Sequence, residues 1–186
     1  RYSTLFKMAD FLKIEEVLNV LDLKEDMIGA EFGCGTAMFA IALSKKLYKG
    51  RVYALDIQEE KLSALKGKLS VEKIKNVHTI LCDLESVRGS TLHDNYLDVV
   101  LIPNILFQAE NKSAMIEESK RILKPGGQIL VIDWLKSGSF GPKEGLIDPE
   151  EVKNIAQKLE LSFKHEFISG DYHYALLFTK KVDIKF

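Results

Sequence analysis

The chain is short of several features, and each shortage excludes a class of protein. Its 186 residues include only two cysteines, Cys34 and Cys82, too few for a disulfide scaffold and without the spacing of a metal site. The given residues contain no signal-peptide pattern and no apolar run long enough to span a bilayer, so we expect neither a signal peptide nor a membrane span. A net charge of −1 gives no general attraction to nucleic acid, although a local basic patch stays open. We therefore expect a cytoplasmic protein with reduced thiols, no metal and no membrane contact.

The composition is that of an ordinary globular protein. With 46% hydrophobic and 28% charged residues, the length suits one domain over residues 1–186. Apolar residues at helical spacing predict an amphipathic helix over residues 8–21, within an N-terminal segment (1–25) that packs on the domain. Tyr2, Leu5 and Phe6 precede this helix and are apolar enough to pack over a bound ligand.

Apolar runs alternate with helical patterns along the chain. Strands are predicted at 27–32, 51–56, 77–81, 97–102 and 128–135, and helices at 58–70, 112–123 and 149–159, with a further helix after Thr36 as its cap. Such alternation indicates a parallel sheet covered on both faces. The last two strands, 161–168 and 172–179, flank a Ser169-Gly170 turn and predict an antiparallel hairpin. The alternating first strand of this hairpin belongs at the edge, and the apolar second one inside.

The first strand ends in a glycine-rich turn, Glu31-Phe-Gly33-Cys-Gly35-Thr-Ala37. Asp56 closes the second strand 21 residues after Gly35, the arrangement with which Rossmann-type sheets hold an adenosine ligand. A dinucleotide site needs a third glycine, and Met38 stands there instead. Met38 and the antiparallel hairpin both argue against an NAD-dependent oxidoreductase.

The pattern acidic-x-Gly-x-Gly-x-small resembles motif I of the class I S-adenosylmethionine-dependent methyltransferases, with Ala37 where that family usually has glycine. Pro103-Asn-Ile-Leu-Phe107 and Arg121-Ile-Leu-Lys-Pro-Gly-Gly127 look like the type 11 branch, which includes ubiquinone- and menaquinone-biosynthesis enzymes. The resemblance runs from about residue 10 to 180. It implies a Rossmann-like three-layer α/β/α sandwich with a seven-stranded, mostly parallel sheet of order 3-2-1-4-5-7-6.

The resemblance also implies the cofactor S-adenosyl-L-methionine, its product S-adenosyl-L-homocysteine, and a set of binding residues. The glycine turn would hold the amino-acid end above Glu31, Asp56 the ribose hydroxyls, and Asp83 the adenine amino group. A carboxylate in these places also serves as a helix cap (Asp56) or turn former (Asp83). The complete predicted set is Glu31, Gly33, Cys34, Gly35, Thr36, Asp56, Ile57, Asp83, Leu84 and Asn104.

The methyl acceptor is narrowed mainly by motifs that are missing. The chain lacks the Asp/Asn-Pro-Pro-aromatic motif of nucleobase amine methylation and the Pro-Cys nucleophile of cytosine methylation. A small-molecule acceptor is the leading interpretation. An RNA- or protein-directed enzyme and a catalytically silent cofactor-binding module stay as alternatives, as do monomer and homodimer.

No catalytic residue can be assigned from the sequence. Holding the methyl donor and the acceptor in line already accelerates direct displacement strongly, so a dedicated catalytic base is optional. Asp133-Trp134, Asn104 and Phe107 are candidates to line the acceptor pocket. His165 and His173 are expected on opposite faces of the hairpin, with His173 structural. The Gly- and Pro-rich residues 136–149 lack any period and are interpreted as a substrate loop.

Overall fold

The computed structural model describes residues 12–136 and 141–182. The helices are α1 (Ile14–Leu18), α2 (Met38–Lys46), α3 (Glu59–Val71), α4 (Lys112–Ile122) and α5 (Pro149–Lys158). The strands are β1 (Ile28–Phe32), β2 (Arg51–Asp56), β3 (Val77–Leu81), β4 (Leu97–Pro103), β5 (Leu123–Trp134), β6 (Leu161–Ser169) and β7 (His173–Lys180). Tyr2, Leu5, Phe6, the start of the predicted 8–21 helix and loop residues 137–140 lie outside the described residues. None of the helices within these limits is long and apolar enough to cross a membrane.

The seven strands form one sheet in the order β3-β2-β1-β4-β5-β7-β6, as predicted. The first five are mutually parallel, with Glu31 of β1 between Ala54 of β2 and Leu101 of β4. β7 runs antiparallel between β5 and β6. The predicted arrangement of the hairpin is therefore confirmed, with the apolar strand inside and the alternating strand at the edge.

Each face of the sheet carries an apolar core beneath helices. On one face, α1, α2 and α3 pack on residues such as Val99 and Leu101. On the other, α4 and α5 cover Val100, Ile102 and Val131. No helix occurs between β3 and β4, where residues 82–96 run as turns and irregular backbone over the second face. The three-layer prediction holds, with an irregular segment in place of one helix.

β5 begins five residues earlier than the sequence predicted. The predicted helix ended at residue 123 and the predicted strand began at 128, yet extended pairing with β4 already starts at Leu123, opposite Leu97. The register then shifts before Val99 pairs with Gln128, and Gly126 has φ of +82°. The Pro-Gly-Gly residues thus form an irregularity within β5, because glycine tolerates a left-handed conformation there.

Candidate active site

A pocket of about 490 Å³ opens at the carboxyl ends of the parallel strands, where open α/β sheets bind their ligands. Backbone and side chains from the ends of β1, β2, β3 and β4 meet there. The ten residues proposed from the sequence all line this one pocket: Glu31, Gly33, Cys34, Gly35, Thr36, Asp56, Ile57, Asp83, Leu84 and Asn104. Residues far apart in the chain are therefore brought together by the sheet topology.

The glycine turn allows the backbone itself to form the pocket wall. Gly33 and Gly35 have φ of +73° and +38°. A Cβ built at Gly33 would lie 2.4 Å from Ile105 Cδ1. The amides of Gly33 and Cys34 both donate to the Leu55 carbonyl oxygen, at 2.8 and 3.3 Å. These two hydrogen bonds anchor the turn to β2. The two N–H groups are therefore already used, and what the turn offers a ligand is close approach to its backbone.

Ala37, where the resembled family usually has glycine, has φ of +69°. A left-handed conformation costs a residue with a Cβ roughly 1–2 kcal/mol, which glycine avoids. The chain therefore carries backbone strain directly at the pocket. The left-handed φ at Ala37 also explains why the resembled family usually has glycine at this position.

The prediction that Thr36 caps the helix after the turn was wrong. The N-cap position is Ala37, and no side chain of the turn caps α2. Glu31 takes this role from β1, because its Oε2 accepts the Ala40 N–H at 2.8 Å. Burial raises the pKa of Glu31 well above its usual range, against the lowering effect of the Ala40 amide, and nearby Asp56 raises it further. Glu31 is thus a buried acid that joins β1, α2 and the pocket.

Asp56 is buried at the end of β2 and is held by two local contacts. Its Oδ1 accepts the Gln58 N–H at 2.9 Å, and its Oδ2 lies 3.7 Å from the Cys34 Sγ. The first contact forms a turn just before α3, whose N-cap is Gln58. The helix-cap role considered for Asp56 is therefore not observed, and Asp56 lines the pocket. Burial raises the pKa of both Cys34 and Cys82 to about 12, so these thiols are poor nucleophiles.

Asp83 is exposed at the end of β3 and shapes the turn that follows. Its carboxylate accepts the Glu85 N–H at 2.9 Å and the Ser86 hydroxyl at 2.6 Å. These hydrogen bonds lower its pKa. The neighbouring Leu84 is buried, whereas Ile57 is 65% exposed at the pocket mouth. An exposed isoleucine beside two carboxylates suits a ligand with a flat apolar part and polar edges.

Asn104 follows β4 with φ of +51°, and its amide donates to the Ile132 carbonyl oxygen at 2.7 Å. Its side-chain Oδ1 is buried and makes no hydrogen bond within residues 12–136 and 141–182. The Nε1 of Trp134 is likewise buried and donates no hydrogen bond to any of the described residues. Both residues line the pocket, so a strained backbone and two unpaired polar atoms occur together at one place.

The sequence did not identify His173 as a pocket residue. It is buried at the start of β7, its ring centroid is 4.2 Å from that of Trp134, and both residues line the pocket. The expectation that His165 and His173 lie on opposite faces was wrong. Ser169 pairs with His173 and His165 with Leu177, so both histidines share a face. Only the register between β5, β6 and β7 reveals these neighbours.

The pocket residues fit S-adenosylmethionine. The Gly33 backbone lies so close to Ile105 that no side chain fits between them, and the buried Asn104 Oδ1 can accept a hydrogen bond from a ligand. Asp56 and Asp83 supply carboxylates for hydroxyl and amino groups, and Glu31 supplies a buried acid near a cationic end. The volume is also within the usual range for a small-molecule site.

Comparison with known proteins agrees with this geometry. A family model described as a methyltransferase domain matches residues 23–160. A demethylmenaquinone methyltransferase of Bacillus mycoides is 27% identical over 138 residues, covering 72% of this chain and 55% of the relative. The chain therefore spans about half the length of the curated relatives that it matches.

Two crystal structures show the same architecture. A SAM-dependent methyltransferase from Aquifex aeolicus superposes with a TM-score of 0.83 at 27% identity, covering 91% of this chain and 90% of that one. A putative type 11 methyltransferase from Sulfolobus solfataricus gives 0.72 at 24% identity, covering 92% and 94%, and supports the fold alone. The chain belongs to the methyltransferase-domain family and has the class I fold of the S-adenosylmethionine-dependent methyltransferase that it resembles in structure.

Proposed function

We propose that this chain transfers the methyl group of S-adenosylmethionine to a small-molecule acceptor by direct displacement. The observation that carries the proposal is the convergence of Glu31, Gly33, Asp56 and Asp83, from three strand ends, on one pocket. When bound, the cofactor supplies an electrophilic methyl group on a sulfonium. The residues bind and orient it, and the pocket walls exclude water from the reacting atoms.

Each proposed contact follows from the chemistry of the residue. Asp56 accepts the ribose hydroxyls, while Ile57 packs on the adenine ring. Asp83 accepts the adenine amino group and Leu84 offers its backbone amide. Glu31 and the Gly33–Gly35 backbone hold the amino-acid end, with Thr36 and Asn104 beside it and Cys34 packed below.

The rest of the pocket supports a small uncharged acceptor over RNA or protein. Beyond the residues assigned to the cofactor, the lining includes Leu12, Ile14, Ile105, Trp134 and His173, and Lys61 is the single Lys or Arg that the described residues contribute to it. RNA binding needs cations along the phosphate backbone. The name of the Bacillus relative, which specifies demethylmenaquinone, also supports a small molecule. The two free, weakly acidic thiols fit a reducing compartment, so we propose a cytoplasmic location.

We also propose that residues 1–186 act as one domain and that the 136–149 loop covers the acceptor. A Cβ at Gly141 would lie 2.4 Å from the Trp134 ring, and one at Gly145 would lie 2.2 Å from the Phe107 carbonyl oxygen. The Ile147 carbonyl oxygen accepts the Tyr174 hydroxyl at 3.2 Å. The described part of the loop therefore packs against Trp134, which lines the pocket, and this contact supports the proposed role of the loop.

Ligand-dependent unfolding tests the cofactor assignment. S-adenosylhomocysteine at 100 times its dissociation constant should stabilise the fold by about 2.7 kcal/mol, whereas NAD should not. Asp56→Ala should abolish the shift, and Asp171→Ala, at an exposed turn residue, should retain it. A shift with NAD alone would contradict the proposal. Methyl transfer from labelled cofactor to small molecules, but not to RNA or protein, then separates the proposed enzyme from both alternatives.

A further inference from the structure

The pocket depends on a segment that has little regular structure of its own. Residues 82–96 take the place of a helix between β3 and β4, yet Cys82, Asp83, Leu84 and Glu85 all line the pocket. A loop of this length is normally among the more mobile parts of a fold. Some interaction outside the pocket must hold it still if these four residues are to keep their places.

One buried carboxylate on α4 provides that interaction. Glu118 Oε1 accepts the Ser90 N–H at 3.0 Å and the Ser90 hydroxyl at 2.5 Å. Arg121, one turn further along α4, donates to both oxygens of Glu118, at 2.7 and 2.8 Å. The same guanidinium reaches the Ser90 hydroxyl at 3.2 Å and also donates to Asp94. We call Glu118, Arg121 and Ser90 the α4 clamp.

Short turns connect the clamp to the pocket. The Ser86 amide donates to the Asp83 carbonyl oxygen at 3.3 Å, and the Gly89 amide donates to the Ser86 carbonyl oxygen at 2.9 Å. A Cβ at Gly89 would lie 1.8 Å from the Asp83 carbonyl oxygen, so the backbone is folded tightly back on itself. Ser90 follows directly. Movement of Ser90 away from Glu118 would therefore be transmitted to Asp83.

The first turn of α4 holds the same segment from the other side. Glu85 accepts the Asn111 N–H, and Asn111 caps α4 by accepting the Ala114 N–H at 3.0 Å. The segment is thus tied to both ends of one helix. α4 itself packs into the core through Met115, Ile116 and Ile122 and is a rigid support.

The clamp is buried and charged, which is an uncommon way to fix a loop. Glu118 is 4% exposed and Ser90 is fully buried. Burial alone would raise the pKa of Glu118, but the hydrogen bonds from Arg121 and Ser90 outweigh it and hold this pKa below its usual value. Buried ion pairs often add little stability over apolar residues of similar size, and their directional bonds instead select one geometry. Positional control is therefore the better physical reason for this cluster.

We propose that Glu118 and Arg121 are positioning residues for the adenine side of the pocket, acting through Ser90 on Asp83 and Leu84. The inference rests on the proposed function, because it presumes that this side of the pocket receives adenine. It also gives the arginine of the Arg-Ile-Leu-Lys-Pro-Gly-Gly stretch a role in ligand binding that its position near the end of a helix does not suggest.

The test compares two neighbouring glutamates on one helix. Glu118→Gln removes the charge of the clamp with little change of shape, and Glu117→Gln makes the same change at an exposed position. Arg121→Lys keeps the charge but loses the forked geometry. Calorimetry on the full chain, well below its melting temperature, gives the dissociation constants of S-adenosylhomocysteine and of S-inosylhomocysteine, in which an oxygen replaces the adenine amino group. The ratio of the two constants reports on Asp83 and is insensitive to a general loss of stability.

We expect Glu118→Gln and Arg121→Lys to weaken S-adenosylhomocysteine binding roughly 2- to 30-fold, the usual range for residues that act through others. Both variants, like Asp83→Ala, should also bring the dissociation constants of S-adenosylhomocysteine and S-inosylhomocysteine closer together. Glu117→Gln should leave the S-adenosylhomocysteine affinity and the ratio of the two constants unchanged. Clamp variants that bind like the parent chain, or that lose both ligands equally, would overturn the inference. If Glu118→Gln does not fold, Asp94→Asn loosens Arg121 from the exposed side. If the parent chain fails to bind S-adenosylhomocysteine, the proposed function fails, and this inference with it.

Discussion

Asp133 should make the stability of this protein fall as the pH rises. The carboxyl group is fully buried near the end of β5, and its oxygens accept the Trp134 N–H at 2.8 Å and the Phe107 N–H at 3.3 Å. Burial raises its pKa from 3.8 to about 6, despite the lowering effect of these amides. The unfolded chain therefore ionises Asp133 more readily than the folded one. The stability contributed by the neutral acid is complete below pH 4 and is lost as the pH rises through 6.

The size of this loss follows from the two pKa values. A difference of about two pH units corresponds to about 3 kcal/mol over the whole transition, and about 2 kcal/mol of this falls between pH 4.5 and 7.5. Asp133→Asn cannot ionise, so it escapes the loss. Its lost acceptor oxygen costs the same at both pH values and cancels from the comparison.

Urea unfolding of both chains at pH 4.5 and 7.5 measures the effect. Relative to the parent chain, Asp133→Asn should gain about 2 kcal/mol of unfolding free energy on going from the lower to the higher pH. Asp171→Asn, at an exposed carboxylate in the β6–β7 turn, serves as the matched control and should gain nothing comparable. A constant difference between Asp133→Asn and the parent at both pH values would refute the account of Asp133 as a buried acid.

Two glycine substitutions probe the pocket walls. Gly33→Ala should weaken S-adenosylhomocysteine binding at least tenfold, because φ is +73° and the new Cβ would meet Ile105. The control Gly67→Ala, in open space on α3, should retain binding and stabilise the fold by about 0.5–1 kcal/mol. Equal calorimetric affinities for both variants would count against the close approach of the Gly33 backbone. Gly141→Ala should displace the loop from Trp134 and raise the acceptor KM without changing the cofactor affinity, and an unchanged acceptor KM would exclude the loop from acceptor binding.

The sequence predicted the fold well because the relevant signals are local. Continuous apolar runs predicted which strands are buried, and the Ser169-Gly170 turn predicted the antiparallel hairpin, whereas the strand order was implied by the family resemblance. Errors arose where a distant group replaced a local one. Thr36 is not a cap because Glu31 bonds the Ala40 amide first, and the histidines share a face because the turn pairs Ser169 with His173.

The candidate site was predictable where a residue directly follows a strand. Gly33, Asp56 and Asp83 lie at strand ends, and parallel strands bring such ends together. His173 was missed because its place in the pocket depends on the pairing of Trp134 with β7. Glu118 was missed because a glutamate in the middle of an amphipathic helix looks solvent-exposed in sequence. Its burial depends on the course of the 82–96 segment, which no periodic pattern reveals.

The position of β7 has a consequence for synthesis of the chain. This strand comes after all of its sheet neighbours in the sequence, yet it lies between β5 and β6. Until residues 173–180 have left the ribosome, β5 presents an unpaired and strongly apolar edge. Such edges pair readily with other chains, so the nascent protein is most prone to aggregate just before the sheet closes. Chaperone engagement should accordingly peak with ribosomes stalled between β5 and β7, and end once β7 is inserted.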